Sequence, residues 1–288
     1  MSMDYLQERI RKLKTPIVLD MGIRKDQLPP QLLEKEGTHL QAYGRFCREI
    51  LEKMKGAVPA VRFRLASFAF LGPEGLILLS QITLLAKELG YYVLLDLPEA
   101  LCPQDAQEQA EALKNVSWQF DGIVLCSYMG SDGMKPYILP LKERDKDLFC
   151  VIRTGNKSAP ELQDLLTGGR LVHVAAADIV SRLGKGHEGQ CGYSRIAAVS
   201  GASDSLRTLR QNYKSMFLLV DSYDYANASA KRCAYAFDRL GHGAAICVGS
   251  KVTAAWIDAE TDGVDYLDQA VKALERMKKN LSANMTVL

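Results

Sequence analysis

No two cysteines in this chain of 288 residues stand close enough to form a C-x-x-C pair. Cys47, Cys102, Cys126, Cys150, Cys191, Cys233 and Cys247 therefore offer no zinc-binding spacing, and no Cys–His signature marks a nucleophile. Three of them lie in or beside apolar runs, where free cysteine behaves as a small hydrophobe. An odd number reads as reduced thiols. Neither sign of charge dominates: 36 basic residues face 34 acidic ones, a net +2. That excludes a strong basic footprint for nucleic acid and a disordered acidic tail. No apolar run reaches the ~18 residues of a membrane span. The longest, Gly75 to Ala86, is broken by Ser80, Gln81 and Thr83. Met1 to Lys14 is charged throughout and lacks the apolar core of a signal peptide. The expectation is a cytoplasmic protein with no membrane and no nucleic-acid partner. His39, His173, His187 and His242 share no spacing, and no linker, repeat or low-complexity stretch divides the chain.

What is present is a rhythm. Eight short apolar runs recur: Ile17–Met21, Ala60–Leu65, Tyr91–Leu97, Gly122–Leu125, Leu148–Arg153, Ile196–Ser200, Phe217–Val220 and Ala244–Val248. Short, nearly continuous apolar runs suit parallel strands buried on both faces. Helical stretches separate them: Leu40–Lys55, Pro73–Leu89, Gln104–Lys114, Ser203–Tyr213, Asn227–Leu240 and Asp262–Leu281. Pro73 opens and Gly90 closes the second of these; Ser203, Asp204 and Asp262 are the expected caps of later ones. Asp132 is expected to cap the helix after the fourth strand, with Tyr128 packed under it, and His242 to end a helix. The alternation predicts a (β/α)8 barrel, one domain over 1–288, with an N-terminal helix and an extra helical insertion around 159–190.

Catalysis in such barrels sits at the C-terminal ends of the strands. Asp20, Arg24, Arg62, Asp96, Arg153, Thr154, Gly155, Asn156, Asp221, Asp224 and Lys251 fall there. The residue types leave three readings open. The charges pair with one another and finish the barrel; or they line a small-molecule site; or Asp20, Asp96 and Asp221, with Asp224 nearby, hold a divalent metal.

Several strand ends together resemble orotidine 5′-phosphate decarboxylase of the longer bacterial subfamily, from about Tyr5 to Trp256. Ser127-Tyr-Met-Gly-Ser-Asp-Gly-Met-Lys-Pro-Tyr137 is similar to the family's N-P-Y-x-G-x-D-x-x-x-P-[FY] stretch. Arg153-Thr-Gly-Asn156 with Gln163-Asp-Leu165 resembles its T-S-N and Q-D-L. Gly192-Tyr-Ser194 with Ala198-Val-Ser-Gly-Ala202 resembles its G-Y-S and V-V-G-A-T. Val58-Pro-Ala-Val-Arg62 resembles the strand of the first catalytic lysine. The resemblance implies a homodimer, no cofactor and no metal, and a ligand like orotidine 5′-monophosphate, which the family converts to UMP and carbon dioxide.

The catalytic motif departs from the family. Its D-x-K-x-x-D places a lysine ammonium between carboxylates, and that lysine protonates carbon as carbon dioxide leaves. Here the stretch is Asp96-Leu-Pro-Glu-Ala-Leu101: Asp96 remains, but Pro98 and Leu101 replace the lysine and second aspartate. Arg62 stands for the partner lysine, with a pKa too high for easy proton donation. Asp20-Met-Gly-Ile-Arg24 has Gly22 where the family's G-L-D-P-R has aspartate. The glycine-rich phosphate loop is matched by Asp221-Ser-Tyr-Asp-Tyr-Ala-Asn-Ala228, without glycine and with two carboxylates. Lys251 replaces the last arginine. The expectation is a diverged paralogue without decarboxylase activity, in which Arg62 and Asp96 are remnants of the catalytic array. Arg24, Thr154, Gly155, Asn156, Asp221 and Lys251 are its candidate ligand contacts. The alternative is an active decarboxylase with an atypical array. In the family the residue matched by Leu101 reaches the neighbouring subunit's site, so Leu101 and Cys102 are expected at a dimer interface.

Overall fold

The computed structural model describes residues 2–22, 24–221, 223 and 229–285. Eight parallel strands close a barrel: β1 (Ile17–Asp20), β2 (Ala60–Arg64), β3 (Tyr92–Asp96), β4 (Gly122–Cys126), β5 (Asp147–Arg153), β6 (Ile196–Gly201), β7 (Leu218–Asp221) and β8 (Ala244–Val248). Each pairs with its neighbours in sequence, and β8 returns to β1, with Ile246 beside Ile17 and Val248 beside Leu19. All eight expected runs are strands of the (β/α)8 barrel.

Alternation along each strand makes two cores. Ile17, Leu19, Val61, Phe63, Val93 and Leu95 face outward and pack with helical residues such as Phe46, Ile50 and Ile82. Val18, Ala60, Tyr92, Leu94, Phe149, Phe217, Leu219 and Cys247 fill the barrel interior. Phe149 and Phe217 meet there edge to face, 6.2 Å between centroids. The helix α1 (Ser2–Leu13) presents Met3, Leu6 and Ile10, spaced along one face, to that interior cluster and so closes the N-terminal end. The chemistry is left to the other end.

The surrounding helices are α2 (His39–Lys53), α3 (Pro73–Glu88), α4 (Pro103–Ala112), α5 (Ser131–Glu143), α6 (Val172–Gly184), α7 (Ser205–Asn212) and α8 (Tyr266–Ser282). α3 begins on Pro73, and the chain leaves it through Gly90 at φ 86°. The insertion after β5 holds a helical turn (Pro160–Gln163), a small hairpin (Leu166–Thr167 with Arg170–Leu171) and α6.

Local details differ from expectation. Within Asn227–Leu240, the described residues hold only the short helix Ala230–Ala234, capped by the Ser229 hydroxyl; Asn227 itself lies outside the described residues. Beyond it, Asp238 organises a turn by accepting from the N–H groups of Leu240 and His242 and from the Tyr193 hydroxyl. α8 starts at Tyr266, because Asp262 bends the chain by accepting from Val264 N–H. Asp204 makes no cap bond to α7 and pairs instead with Arg232, while the hydroxyls of Ser203 and Ser205 bond each other. Gly130, not Asp132, occupies the N-cap of α5. Asp132 points to solvent 3.9 Å from Lys135. No helix among the described residues is long and apolar enough to cross a membrane.

Candidate active site

The inward alternation of β2 carries Ala60, Arg62 and Arg64 toward the barrel axis, and only the first is apolar. Arg62 is 3% exposed. Its guanidinium reaches three strands: Nη2 donates to Asp96 Oδ2 on β3 at 2.5 Å and Nη1 to Asp221 Oδ1 on β7 at 2.9 Å, while Asp20 Oδ2 on β1 lies 3.8 Å away. Its Nε–H is buried without a hydrogen-bond partner among the described residues. Arg64 lies over the end of β1 and donates from Nη2 to Asp20 Oδ2 at 2.6 Å. Gly22 permits that pose: a Cβ there would stand 2.8 Å from the Arg64 side chain. Asp20 also accepts the Gly22 N–H at 2.8 Å.

Among the described residues of this array three carboxylates thus face two guanidiniums, one negative charge in excess when all are ionised. Burial opposes the charge on Arg62, yet Asp221, Asp96 and Asp20 hold it protonated far above its ordinary range. Burial also works to raise Asp20, but Arg62 and Arg64 outweigh it and hold that carboxyl below its usual value. At Asp96 burial wins, and its carboxyl is raised despite Arg62. A guanidinium so held does not release a proton near neutral pH. The carboxylates converge on this cation rather than on an open centre. Among the described residues no group of three His, Cys, Asp or Glu side chains is spaced to hold a metal.

Arg62, Asp96 and Asp221 therefore meet as expected, and Asp20 joins them. Arg64 is the member that sequence reasoning missed. The signal was present: two residues beyond Arg62, it shares the inward face of the strand. Asp224 lies outside the described residues. The remaining candidates have partners of their own. Arg24 is exposed and forks onto Asp26. Arg153 turns from the mouth to hold Asp164 at 2.9 and 2.8 Å. Thr154 gives its N–H to the Gln163 side chain and its hydroxyl to Asn156. Gly155 packs against Gly201 at the end of β6, so closely that a Cβ on Gly201 would lie 2.5 Å from Gly155 Cα. Lys251 pairs with Asp258 across an open groove against α8. The Tyr128 hydroxyl bonds the carbonyl of Ile152 and ties the β4 and β5 ends together.

No protein-family model matches the chain. Curated proteins do. An orotidine 5′-phosphate decarboxylase of Rhodopirellula baltica is 28% identical over 249 residues, 81% of this chain and 82% of that protein. One from Petrotoga mobilis is 24% identical over 291 residues and the whole of both chains. One from Clostridium novyi is 25% identical over 281 residues, 96% of this chain and 97% of its own. These similarities support homology with the orotidine 5′-phosphate decarboxylases. Among solved structures, the OMP decarboxylase of Leishmania donovani superposes with a TM-score of 0.70 at 22% identity, covering 98% of each chain. That of Plasmodium berghei gives 0.78 at 12% identity over 99% of each. At those identities the structural likeness establishes the fold alone. Pro98 and Leu101 lie on the loop after β3, and Asp96 at the strand end is bound to Arg62.

Proposed function

We propose that this barrel is a diverged relative of the orotidine 5′-phosphate decarboxylases that does not decarboxylate orotidine 5′-monophosphate and binds a nucleotide-like or other small molecule at its mouth. The observation that carries this reading is the Arg62 guanidinium. It is bonded to Asp96 and Asp221, and by the resemblance it stands for the family's lysine, with Pro98 matched to the family's proton donor. Among the described residues the array holds no ammonium to deliver a proton to a carbanion. Its carboxylates also disfavour a ligand that carries both a phosphate and a carboxylate. Each 1.36 kcal/mol of lost transition-state stabilisation is about tenfold in rate, so loss of the donor alone removes turnover by orders of magnitude.

The reading includes a cytoplasmic homodimer with Leu101, 85% exposed in the single chain, at the interface. Light scattering at micromolar concentration checks this, and a monomer contradicts it. A second reading, an active carboxy-lyase with an atypical array, is favoured by similarity to a curated decarboxylase over the whole of both chains. Orotidine 5′-monophosphate turnover, followed by pyrimidine absorbance, separates the two, with calorimetric titration of UMP alongside. The expected result is no turnover. Turnover supports the second reading, and UMP binding without turnover marks a nucleotide-binding protein on an inherited pocket.

A further inference from the structure

The insertion after β5 reaches back to the mouth through one buried histidine. His173, near the start of α6, is 2% exposed. Its Nδ1 lies 2.9 Å from the Gln163 carbonyl oxygen and 3.0 Å from Asp164 Oδ1. Both neighbours are acceptors, so Nδ1 carries the hydrogen and shares it between them. The two residues it holds each grip the end of β5. Gln163 Oε1 accepts the Thr154 N–H at 2.7 Å, and Gln163 Nε2 donates to the Thr154 hydroxyl at 2.9 Å. Asp164 takes the Arg153 fork at 2.9 and 2.8 Å. Arg153 foremost, with His173 behind it, holds the Asp164 carboxyl below its usual range.

The sheet alone does not aim these residues. Phe149 lies in the barrel interior and Val151 packs on that cluster, so a period of 2 would turn Arg153 inward as well. The pairing of β5 with β6 slips at this point. Val151 stands beside Val199, but Arg153 stands beside Ser200, which leaves Ile152 as an extra residue. Such a bulge re-aims the side chains beyond it. Val199 faces the interior; Arg153, beside the next residue, is turned off the axis, and Asp164 receives it there. Beyond the bulge, Gly155 rests on Gly201, where a Cβ would come within 2.5 Å of it. The bulge, the glycine contact and the insertion together set the shape of Arg153–Asn156.

We propose that His173 is a positioning residue for the mouth: through Gln163 and Asp164 it holds Arg153–Asn156 in the shape a ligand meets, with the Arg153 charge withheld. This rests on the reading that the mouth binds a small molecule beside Thr154–Asn156. The histidine touches no ligand in this account. What matters is its N–H and not the bulk of its ring, because loss of that donor leaves buried acceptors unsatisfied, and the turn must move to relieve them.

The test is amide exchange of the full chain, read residue by residue, in two variants of opposite design. His173→Phe keeps the ring and loses the N–H. His173→Asn loses the ring and keeps an amide N–H as many bonds from Cα as histidine Nδ1. Exchange at Thr154 should rise about tenfold in His173→Phe, the factor that 1.4 kcal/mol gives, and fall back in His173→Asn. The ends of β2 and β7 should exchange as before in both, since local opening leaves distant elements protected. Packing alone gives the reverse order of the two variants. Unchanged exchange at Thr154 in His173→Phe, failure of His173→Asn to rescue it, or an equal rise at β2 and β7 overturns the proposal. Thermal melts verify folding. If His173→Phe does not fold, Gln163→Met, which cuts the Thr154 bonds from the half-buried turn, is read the same way, and unchanged exchange at Thr154 overturns the clamp. Calorimetric titration of UMP separates this proposal from the reading it rests on. UMP that binds the unaltered protein should bind His173→Phe about tenfold more weakly and regain affinity in His173→Asn; unchanged affinity overturns the positioning role. No UMP binding by the unaltered protein counts against a nucleotide-like ligand, while exchange at Thr154 still decides the clamp.

Discussion

Replacing Arg62 by Met keeps most of the side-chain volume and removes the charge on which the array turns. The guanidinium is almost fully buried and bonds Asp96 at 2.5 Å and Asp221 at 2.9 Å. Both carboxylates are less than one quarter exposed, and Asp20 is more deeply buried. Removing one partner of a buried ionic group costs about 3–5 kcal/mol, because it leaves charge without compensation. Three carboxylates would then face Arg64 alone. Urea unfolding at pH 7.5 should show a loss in that range. The loss should shrink at pH 5.5. Asp96 is already raised above its ordinary value; without Arg62 it rises further, and the folded state relieves the repulsion by taking up a proton. A group raised in the folded state gains stability as pH falls and loses it as pH rises. The variant's stability deficit must therefore be larger at pH 7.5 than at 5.5. A loss under about 1 kcal/mol at pH 7.5, the range of an exposed pair, refutes the claim that Arg62 holds the array together. A deficit that grows on acidification refutes the charge argument.

Asp147 is fully buried at the start of β5, bonded to the Tyr92 hydroxyl and Arg195, and burial pushes its carboxyl up to about 6. Its unfolded value is near 3.9, so it costs stability as pH rises from about 4 to about 6; Asp147→Asn should flatten the stability profile across that window, measured by urea midpoints. Gly122→Ala places a methyl group 2.8 Å from the Tyr92 hydroxyl and 2.9 Å from Phe149 in the barrel interior, and should cost about 1–3 kcal/mol by overpacking. Gly201→Ala drives a Cβ to 2.5 Å from the Gly155 backbone and should cost a similar ~1–3 kcal/mol; amide exchange should rise at Thr154–Asn156, and unchanged protection there contradicts the packing argument.

The barrel was legible in the sequence because its signal is local. Apolar runs and helix breaks recur at each βα unit, and the strands fall on those runs. Helix ends were less legible, because polar side chains there chose among competing backbone partners. Asp238 takes the N–H groups of Leu240 and His242 into a turn, and Asp204 pairs with Arg232 and makes no cap bond. Within the site, residues on the inward face of neighbouring strands could be anticipated, as Arg62 and Asp96 were. Arg64 was legible by the same two-residue alternation. Arg153 was not: its fork is taken by Asp164, a preference set by how the insertion folds back. Arg24 is likewise drawn away by the local acid Asp26, a competition that a strand-end rule does not weigh.

The most direct test of the central claim is release of labelled carbon dioxide from carboxyl-labelled orotidine 5′-monophosphate, with the protein in molar excess so that a single slow turnover is visible. The account predicts release no faster than in buffer, for the full chain and for Arg62→Lys alike, since neither restores a donor at Pro98. Stoichiometric release by the unaltered protein would show that another group supplies the proton and would contradict the account.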